Sequence, residues 1–394
     1  MANSLQERNK SIIEEVIKKI ERTCPNAVDM VAISGSFASG DYYEKSDLDL
    51  LIVKNKDDAD MISTCFIMDD IGYDIYTHSW DDLKNMSKYE NPYVTKLKQL
   101  NIVYTRNDEV VEKYKELQAD LNDSMNNEDL VKENISKNFS KILENYNDIL
   151  NCEDISNAYK ILGKFMNNLE NVIYLLNGKY VEHGTKNIPV EIVKMKNIPR
   201  DVVSKYLKLP ECTSINEIIE KMFEIEKSLE TFLKDKGIKV DFNEEEKEKI
   251  EKKELKSEDL EGTFEELYSN YYNKLKKASD DNNRYLSFRT MVDAQGFYDE
   301  YSDRFDIEPI DLISKYNPNN LEENHKTFVS SLQVWKGLYD SFCKDVNIIN
   351  DVKDIYDNKR LFVAYKSQEE IEFFDKLNQE GNNEVHVRGI NKIL

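Results

Sequence analysis

Long apolar runs are missing from this chain of 394 residues. A helix that crosses a membrane needs about 20 consecutive, mostly apolar residues, and no stretch of the sequence approaches that length. The N-terminal stretch MANSLQERNK is polar and lacks the apolar segment of an export signal. We therefore expect neither membrane insertion nor export, and we expect a cytoplasmic location.

Cysteine is scarce and dispersed, with five residues in the whole chain. Their number is odd, and they have neither the close spacing of a zinc site nor the density of a disulfide scaffold. The cysteines are Cys24, Cys65, Cys152, Cys212 and Cys343. The four histidines are also too far apart to predict a local metal cluster. This usage fits a reducing compartment best.

Basic residues are too few to balance the acidic ones: 54 Lys and Arg stand against 76 Asp and Glu, for a formal net charge of -22. A protein that binds a nucleic-acid backbone over a broad surface carries an excess of basic residues there. Nucleic acid is therefore a poor candidate for the partner. An acidic surface attracts cationic molecules, but it serves equally well to keep the chain soluble.

Short apolar segments of strand length are concentrated in the first 105 residues. An amphipathic helix from Ser4 to about Thr23 precedes them, because its apolar residues recur at helical spacing. VDMVAISGS, whose apolar run ends at Gly35, and LDLLIV each predict a strand, and ISTCFIM and YDIYTHS predict a β-hairpin across a tight turn. A helix near Tyr93 to Leu100 and a strand at Asn101 to Tyr104 complete this part.

Helical periodicity dominates after residue 110. The stretch 243–262 is almost entirely Glu, Lys and Asp, so it is either a linker or a solvated helix. We predict a first domain at 1–110, a helical domain at 111–240, the charged segment at 241–262 and a C-terminal helical domain at 263–394. Aromatic residues in that last domain recur at helical spacing and predict a core. They are Tyr268, Tyr271, Tyr272, Phe297, Tyr298, Tyr301, Trp335 and Tyr339.

Two aspartates in the segment SDLDLLIV carry the chemistry. On a strand, Asp47 and Asp49 point to one face, while Leu48 and Leu50 point to the other. Same-face neighbours lie about 6.5 to 7 Å apart, and carboxylates at that spacing can share divalent ions held about 3.5 to 4 Å apart in phosphoryl transfer. Magnesium prefers such oxygen ligands and substrate phosphates. The alternative is a half-exposed strand with two solvated acids.

The context upstream of these acids favours a phosphate site. Gly35 and Ser36 follow a predicted strand, so backbone N–H groups and a hydroxyl are available where a phosphate can approach without meeting a Cβ. Ser46 adds a hydroxyl beside Asp47. The alternative for a Gly-Ser pair is a plain turn.

The pattern GS-x-A-x-G-x5-S-D-L-D-L resembles the signature of the nucleotidyltransferase superfamily related to DNA polymerase β. Within it, the sequence is most similar to the small-molecule enzymes, such as the aminoglycoside and lincosamide adenylyltransferases. Asp74 in GYDIYTHS matches the third acid of that signature. The likeness covers residues 10–110 and extends weakly to about 185, where FMNNLENVIYLLNGKYVEHGTK is similar to HEPN-like or kanamycin-nucleotidyltransferase-like helices.

The resemblance implies an α+β fold, in which a mixed β-sheet flanked by helices is followed by helical domains. It implies transfer of a nucleoside monophosphate from ATP or another NTP to a hydroxyl of a small molecule, with pyrophosphate leaving. Asp47, Asp49 and Asp74 would then hold two Mg²⁺ ions. The general base would be Asp74 or a carboxylate from the helical domain, for which Glu144 is the candidate.

The same resemblance leaves other roles open. The acceptor is a small molecule, such as an aminoglycoside-like antibiotic, or alternatively a protein hydroxyl, as in AMPylation. A third alternative is a catalytically inactive scaffold, because fold does not settle function. Tyr42 and Tyr43 are candidates to stack on the base, and His78 lies near the Asp74 strand. Candidate phosphate-binding lysines are Lys160, Lys179 and Lys186. The sequence does not indicate the oligomeric state.

Overall fold

The computed structural model describes residues 2–40, 42, 43, 45–240, 252–342 and 344–356. Its N-terminal part begins with helix α1 (Ala2–Thr23), whose apolar residues Ile12, Val16 and Ile20 are fully buried. Strands and short helices follow. They are β1 (Val28–Ile33), α2 (Gly35–Ser39), β2 (Leu50–Lys54), β3 (Thr64–Met68), β4 (Ile71–His78), α3 (Trp80–Ser87), α4 (Thr95–Lys98) and β5 (Asn101–Thr105).

The strands form one mixed sheet in the order β3-β4-β2-β1-β5. Strands β2 and β4 are parallel, and the other neighbours are antiparallel. Strands β3 and β4 form the predicted hairpin, whose turn residues Asp69 and Asp70 have φ of 53° and 60°. Two consecutive positive φ values are typical of the tight turns that match the strand twist. The mixed sheet with its many helices confirms the predicted α+β fold.

Each face of the sheet packs against a different core. Alternate residues of β2 separate the two cores, because neighbouring side chains on a strand point to opposite faces. Leu50 and Ile52 pack with α1, whereas Leu51 and Val53 join the larger core formed with the helical part of the chain. Both faces of β2 are therefore buried, which explains its uninterrupted apolar sequence.

The remainder of the described chain is helical. The helices are α5 (Asp108–Asn126), α6 (Glu128–Leu150), α7 (Ile155–Leu176), α8 (Ile188–Lys194), α9 (Arg200–Tyr206), α10 (Ile215–Asp235), α11 (Thr263–Leu267), α12 (Asn273–Asp280), α13 (Arg284–Arg304) and α14 (Leu321–Ser341). A π-helical turn, Tyr268–Tyr272, connects α11 to α12. Among the described residues, no helix has the length and apolar character needed to cross a membrane.

The helical regions on both sides of the charged segment share one apolar core. The predicted domain boundaries at 110, 240 and 262 therefore stay predictions. Residues 241–251 of the charged segment lie outside the described residues. The rest of it packs on the C-terminal helices: the Lys253 N–H donates to the Arg304 carbonyl at 2.8 Å, and Leu255 and Leu260 are buried.

The C-terminal aromatic residues build the predicted core. Tyr268, Tyr298, Trp335 and Tyr339 are almost completely buried. The other four pack against the same core while partly exposed: Tyr271, Tyr272, Phe297 and Tyr301.

After α14 the chain returns to the sheet and covers its edge at β3. The Ile67 N–H donates to the Asn347 carbonyl at 2.8 Å, and the Ile349 N–H donates to the Ile67 carbonyl at 2.9 Å. The Asn347 side-chain amide donates to the Cys65 carbonyl at 2.9 Å. These bonds occupy backbone groups of an edge strand that would otherwise stay unpaired. The C-terminal region is thereby fixed to the N-terminal sheet.

A histidine, His325, is buried in the C-terminal region. The His325 ring lies 4.9 Å from the Tyr272 ring, between centroids. Its Nε2 has no hydrogen-bond partner among the described residues. Burial, reinforced by Lys276, lowers the pKa of His325 to about 4. The other charged groups around it are Asp280, Glu322 and Lys326.

We expect protonation of His325 to favour unfolding. The pKa of an unfolded histidine is about 6.5, so the unfolded chain takes up this proton first as the pH falls. The stabilisation from neutral His325 is complete above pH 6.5 and is lost towards pH 4. In His325→Gln, the free energy of unfolding should fall by about 2 kcal/mol less than in the wild type between pH 7 and 4.5. Urea unfolding at both pH values measures this, and equal losses would contradict it.

Candidate active site

The two aspartates of the motif lie in the extended segment directly before β2. The predicted strand LDLLIV was wrong at its start, because pairing begins at Leu50. The predicted alternation is nevertheless present: Leu48 and Leu50 are buried at 2% and 0% exposure, while Asp47 and Asp49 face a cavity. The predicted separation of an apolar and an acidic face is therefore correct.

The third acid comes from the neighbouring strand. Strand β2 runs parallel to β4 with Leu50 opposite Ile75, so the residues that precede this pair, Asp49 and Asp74, are also adjacent. The Asp74 carboxylate accepts a hydrogen bond from the Cys65 thiol at 3.2 Å. Burial, followed by the nearby carboxylate of Asp74, raises the pKa of that thiol. Cys65 is thus a neutral donor that orients the third acid, a role that no sequence signal indicated.

Burial and mutual repulsion both disfavour the charged forms of the three carboxyl groups. The pKa of Asp47 is raised to about 7, by burial first and by the Asp49 charge second. Burial also raises the pKa of Asp49, against the opposing effects of Lys274, Lys96 and the Ser36 N–H. For Asp74, burial again raises the pKa, with Asp49 adding to it. A cation placed among these groups would relieve this repulsion.

Gly35 leaves the space that the Asp49 carboxylate occupies. A Cβ at this position would lie 1.8 Å from Asp49 Oδ2, and the φ of Gly35 is +62°. The Ser34 N–H also donates to the Asp49 carbonyl at 2.9 Å. Both the backbone conformation and the close approach therefore require glycine.

Gly35→Ala should displace the Asp49 carboxylate. We expect nucleotide affinity to fall at least about tenfold and stability to fall by about 2–3 kcal/mol, because a clash adds to the cost of positive φ. Gly40→Ala is the matched control: its φ is +81°, but a Cβ there meets nothing within 4 Å. It should lose only about 1 kcal/mol. Thermal unfolding and nucleotide titration separate the two, and equal behaviour would contradict the close-approach role.

Asp47 and Asp49 border a cavity of about 350 Å³, and Asp74 lies beside Asp49 without bordering the cavity. Four parts of the chain border it: the motif with its sheet, Thr95 and Lys96 of α4, the segment 182–186 after α7, and the π-helical turn with α12 and Leu286 of α13. The residues proposed for phosphate contacts, Gly35, Ser36 and Ser46, all border it. The Ser46 hydroxyl additionally accepts from the Tyr43 N–H at 2.9 Å.

Lysines dominate the charge of this cavity, although the chain as a whole is acidic. Five lysines border the cavity, compared with three acidic residues, Asp47, Asp49 and Glu182. The lysines are Lys45, Lys96, Lys186, Lys274 and Lys277. Only Lys186 was among the lysines suggested from sequence. Among the other two, Lys160 pairs with Asp299 at 2.9 Å, and neither it nor Lys179 borders the cavity.

Lys96 connects the cavity to the end of β4. Burial lowers its pKa, while Asp49 and Asp74 act in the opposite direction. Its ammonium contacts His78 Nε2 at 2.5 Å and lies 4.7 Å from the centre of the Tyr76 ring. His78 therefore lies one contact away from the cavity.

The predicted helical base is not assembled with the acids. Glu144 lies on α6 and is not among the residues that border the cavity. The two tyrosines also separate: Tyr43 borders the cavity, whereas Tyr42 stacks on Phe37 at 4.4 Å between ring centroids. Tyr43 is thus the one of the pair in a position to reach a ligand.

The carboxylates have the right chemistry for Mg²⁺, although they form no complete cage. Within the described ranges, no group of three or more His, Cys, Asp or Glu side chains is arranged so that it could hold a metal ion. Magnesium is commonly held by one or two carboxylates together with substrate phosphates. Asp47 and Asp49, which border a lysine-rich cavity, fit that second arrangement.

A match to a family model agrees with this chemistry. A crystal structure of a nucleotidyltransferase-like protein from Exiguobacterium sibiricum 255-15 is 15% identical, with a TM-score of 0.35, and covers 55% of this chain and 72% of its own. No curated protein matches the chain. Residues 12–156, which include all three acids, match the family model described as the nucleotidyltransferase domain, and this match supports a transferase of this kind.

Proposed function

We propose that the protein transfers a nucleoside monophosphate, foremost AMP from ATP, to a hydroxyl of a small molecule in a Mg²⁺-dependent reaction. The acceptor oxygen forms a bond to the α-phosphorus, and the bond from that phosphorus to the α,β-bridging oxygen breaks. Pyrophosphate carries away the bonding electrons, and the hydroxyl proton passes to a base. This extends the general nucleotidyl transfer that the family match supports.

One observation carries the proposal: a lysine-rich cavity bordered by Asp47 and Asp49 in a chain of net charge -22. A triphosphate needs positive charge around it. In a chain with a negative net charge, a positively charged cavity requires that the fold bring lysines together from distant segments. Lysine is a common point-charge partner for phosphate. The carboxylates of Asp47 and Asp49 would repel a simple anion, but they suit an anion that binds together with a metal ion.

Asp47 and Asp49 would hold Mg²⁺ together with the phosphates, and Asp74 would complete the site for the second of two ions. When bound, the metal neutralises charge that develops on the phosphoryl oxygens. The chain itself contributes positioning, because phosphoryl transfer requires little covalent chemistry from the protein. Backbone and hydroxyl groups of Gly35, Ser36 and Ser46 would orient the phosphates.

Asp74 is the better-placed candidate for the base. Its Oδ1 is occupied by the Cys65 thiol, which leaves Oδ2 to accept the hydroxyl proton. Its raised pKa favours proton uptake. Neither Asp74 nor Glu144 borders the cavity, but Asp74 lies beside Asp49, which does, so Glu144 is the weaker candidate.

The cavity volume favours a small acceptor. Pockets for small ligands and cofactors occupy about 300–1,000 Å³, and this cavity of about 350 Å³ is bordered by four parts of the chain. A protein acceptor would need an open groove. Glu182, which borders the cavity, and the acidic surface suit a cationic, hydroxylated acceptor of the aminoglycoside type.

Pyrophosphate release tests this proposal. The purified protein is given Mg²⁺, each of the four NTPs, and a panel of aminoglycosides, lincosamides and simple polyols. We expect release that depends on one NTP and one acceptor class, with a matching mass increase of the acceptor. Bound MgATP without release across the panel would point to a protein acceptor. Absence of both binding and release would leave an inactive scaffold.

A further inference from the structure

We propose that Lys274 and Lys277 of α12 bind the β- and γ-phosphates of the nucleotide, which makes the C-terminal region a working part of the nucleotide site. This inference rests on the proposed function. Neither the motif nor the family match reaches these residues, because the match ends at residue 156. The contacts of the region from residue 263 onward are therefore what indicate its role.

Backbone contacts fix the start of α12 against the sheet. The Ser269 hydroxyl donates to the Gly72 carbonyl at 3.0 Å and lies 3.5 Å from Asp47 Oδ2. Gly72 permits this approach, since a Cβ there would lie 2.6 Å from Ser269 Cα. The Tyr268 hydroxyl and the Asn273 amide both donate to the Asp70 carbonyl, at 3.2 and 3.4 Å. The segment that precedes Lys274 is therefore held directly over the acids.

The π-helical turn sets the direction in which α12 leaves the site. Such turns are rare in proteins as a whole, but those that occur are often found at functional sites, where they alter which side chains face a cleft. Its last residue, Tyr272, directly precedes α12, and its ring stacks on Tyr268 at 4.8 Å between centroids. The turn is thus fixed by packing as well as by hydrogen bonds.

The two faces of α12 have opposite character. Leu275 and Ala278 are fully buried in the C-terminal core. Lys274 and Lys277, three residues apart and on one face, border the cavity. A helix presents one side to the protein and the other to the cleft in this way only if its lysines can remain solvated or find an anion.

Lys274 has charge to offer to a ligand. Burial raises the pKa of Asp47, Asp49 and Asp293, and the positive charge of Lys274 opposes that rise at each carboxyl. Among the described residues, however, no carboxylate lies within ion-pair distance of its ammonium. Lys277 lies 5.3 Å from the centre of the Tyr43 ring and pairs with Asp281 at 2.7 Å.

Position distinguishes the phosphates that these lysines reach. The monophosphate that is transferred has to lie at the carboxylates and the Gly35–Ser36 turn, where the reaction occurs. Lys274 and Lys277 border the same cavity from another part of the chain, so they are placed for the leaving pyrophosphate. Positive charge there stabilises the negative charge that builds up on the leaving group.

Calorimetric titration of the full-length chain with MgATP and with AMP tests the inference. Lys274→Met removes the charge and keeps most of the side-chain length. We expect its affinity for MgATP to fall about tenfold to a hundredfold, the range for a charge-assisted hydrogen bond, and its affinity for AMP to change less than about twofold. Inorganic tripolyphosphate should compete with MgATP in the wild type and compete less well in the variant.

Lys276→Met is the matched control on the same helix. Lys276 pairs with Asp280 at 2.5 Å and does not border the cavity, so its loss should leave both affinities unchanged. Should Lys274→Met fail to fold, Lys277→Met carries the same test. If the variant tested, Lys274→Met or Lys277→Met, binds MgATP with wild-type affinity, this inference is overturned and the proposed function still stands. A wild-type protein that binds no nucleotide overturns both.

Discussion

Asp49→Asn is expected to reduce nucleotidyl transfer by at least about a thousandfold. The amide keeps the shape that fills the space beside Gly35 but loses the negative charge that a metal-bound triphosphate requires. Because burial raises the pKa of Asp49, the folded state disfavours the charged form. The variant should therefore unfold at the same or a higher temperature than the wild type.

This combination separates a catalytic defect from a folding defect. Asp58→Asn is the matched control, because Asp58 is an exposed acid in the same N-terminal part of the chain. The control should retain wild-type rates. Initial rates of pyrophosphate release and thermal unfolding midpoints are measured for all three proteins. An Asp49→Asn enzyme with a rate within tenfold of the wild type would remove Asp49 from the catalytic site.

Glu170→Leu is expected to lower the free energy of unfolding by about 3–5 kcal/mol. Glu170 is fully buried on α7, and its carboxylate lies at the centre of a polar network. Tyr206 and Tyr285 donate to one of its oxygens at 2.8 and 2.9 Å, and Tyr93 donates to the other at 3.3 Å. Arg289 lies 3.7 Å away and is itself buried.

The loss arises because the substitution leaves a buried cation and three hydroxyls without their common partner. Glu133→Leu is the control: Glu133 is an exposed acid on α6 that pairs with Lys137 at 2.8 Å. It should change stability by less than about 1 kcal/mol. Urea unfolding monitored by circular dichroism compares the two. If both variants lost the same amount, the network would not connect α7 with α9 and α13 as described.

The sequence predicts those parts of the site that are local. Gly35, Ser36, Asp47 and Asp49 fall within one short segment, and strand alternation alone separates the acids from Leu48. Asp74 was identified only through the resemblance, as the third acid of the signature, because the spacing alone does not place β4 beside β2. These residues border the cavity or adjoin its acids in the folded chain.

Residues supplied from distant segments could not be predicted. Ser269 contacts Asp47 across 222 positions of the chain. No periodicity signals such a contact, because it depends on how α11 and α12 pack on the sheet. The lysine pair on α12 has a sequence signature, two lysines three apart opposite buried Leu275, but the same signature marks most solvated helix faces. Cys65 was equally hidden, since a single thiol has no pattern.

Glu144 illustrates the converse problem. Helical spacing on α6 identifies which residues are apolar, but it does not reveal which polar residue faces a cleft in another part of the chain. The fold packs α6 against α7, and Glu144 is not among the residues that border the cavity. The position of Glu144 on its helix therefore gives no reason to place this predicted base beside the acids.

Transfer of label from ATP tests the central claim most directly. ATP labelled at the α-phosphate and ATP labelled at the γ-phosphate are supplied in parallel with Mg²⁺ and an acceptor that supports turnover. The account predicts that the α-label becomes covalently attached to the acceptor, while the γ-label appears only in pyrophosphate. Attachment of the γ-label, or release of γ-labelled phosphate without any modified acceptor, would contradict nucleotidyl transfer at this site.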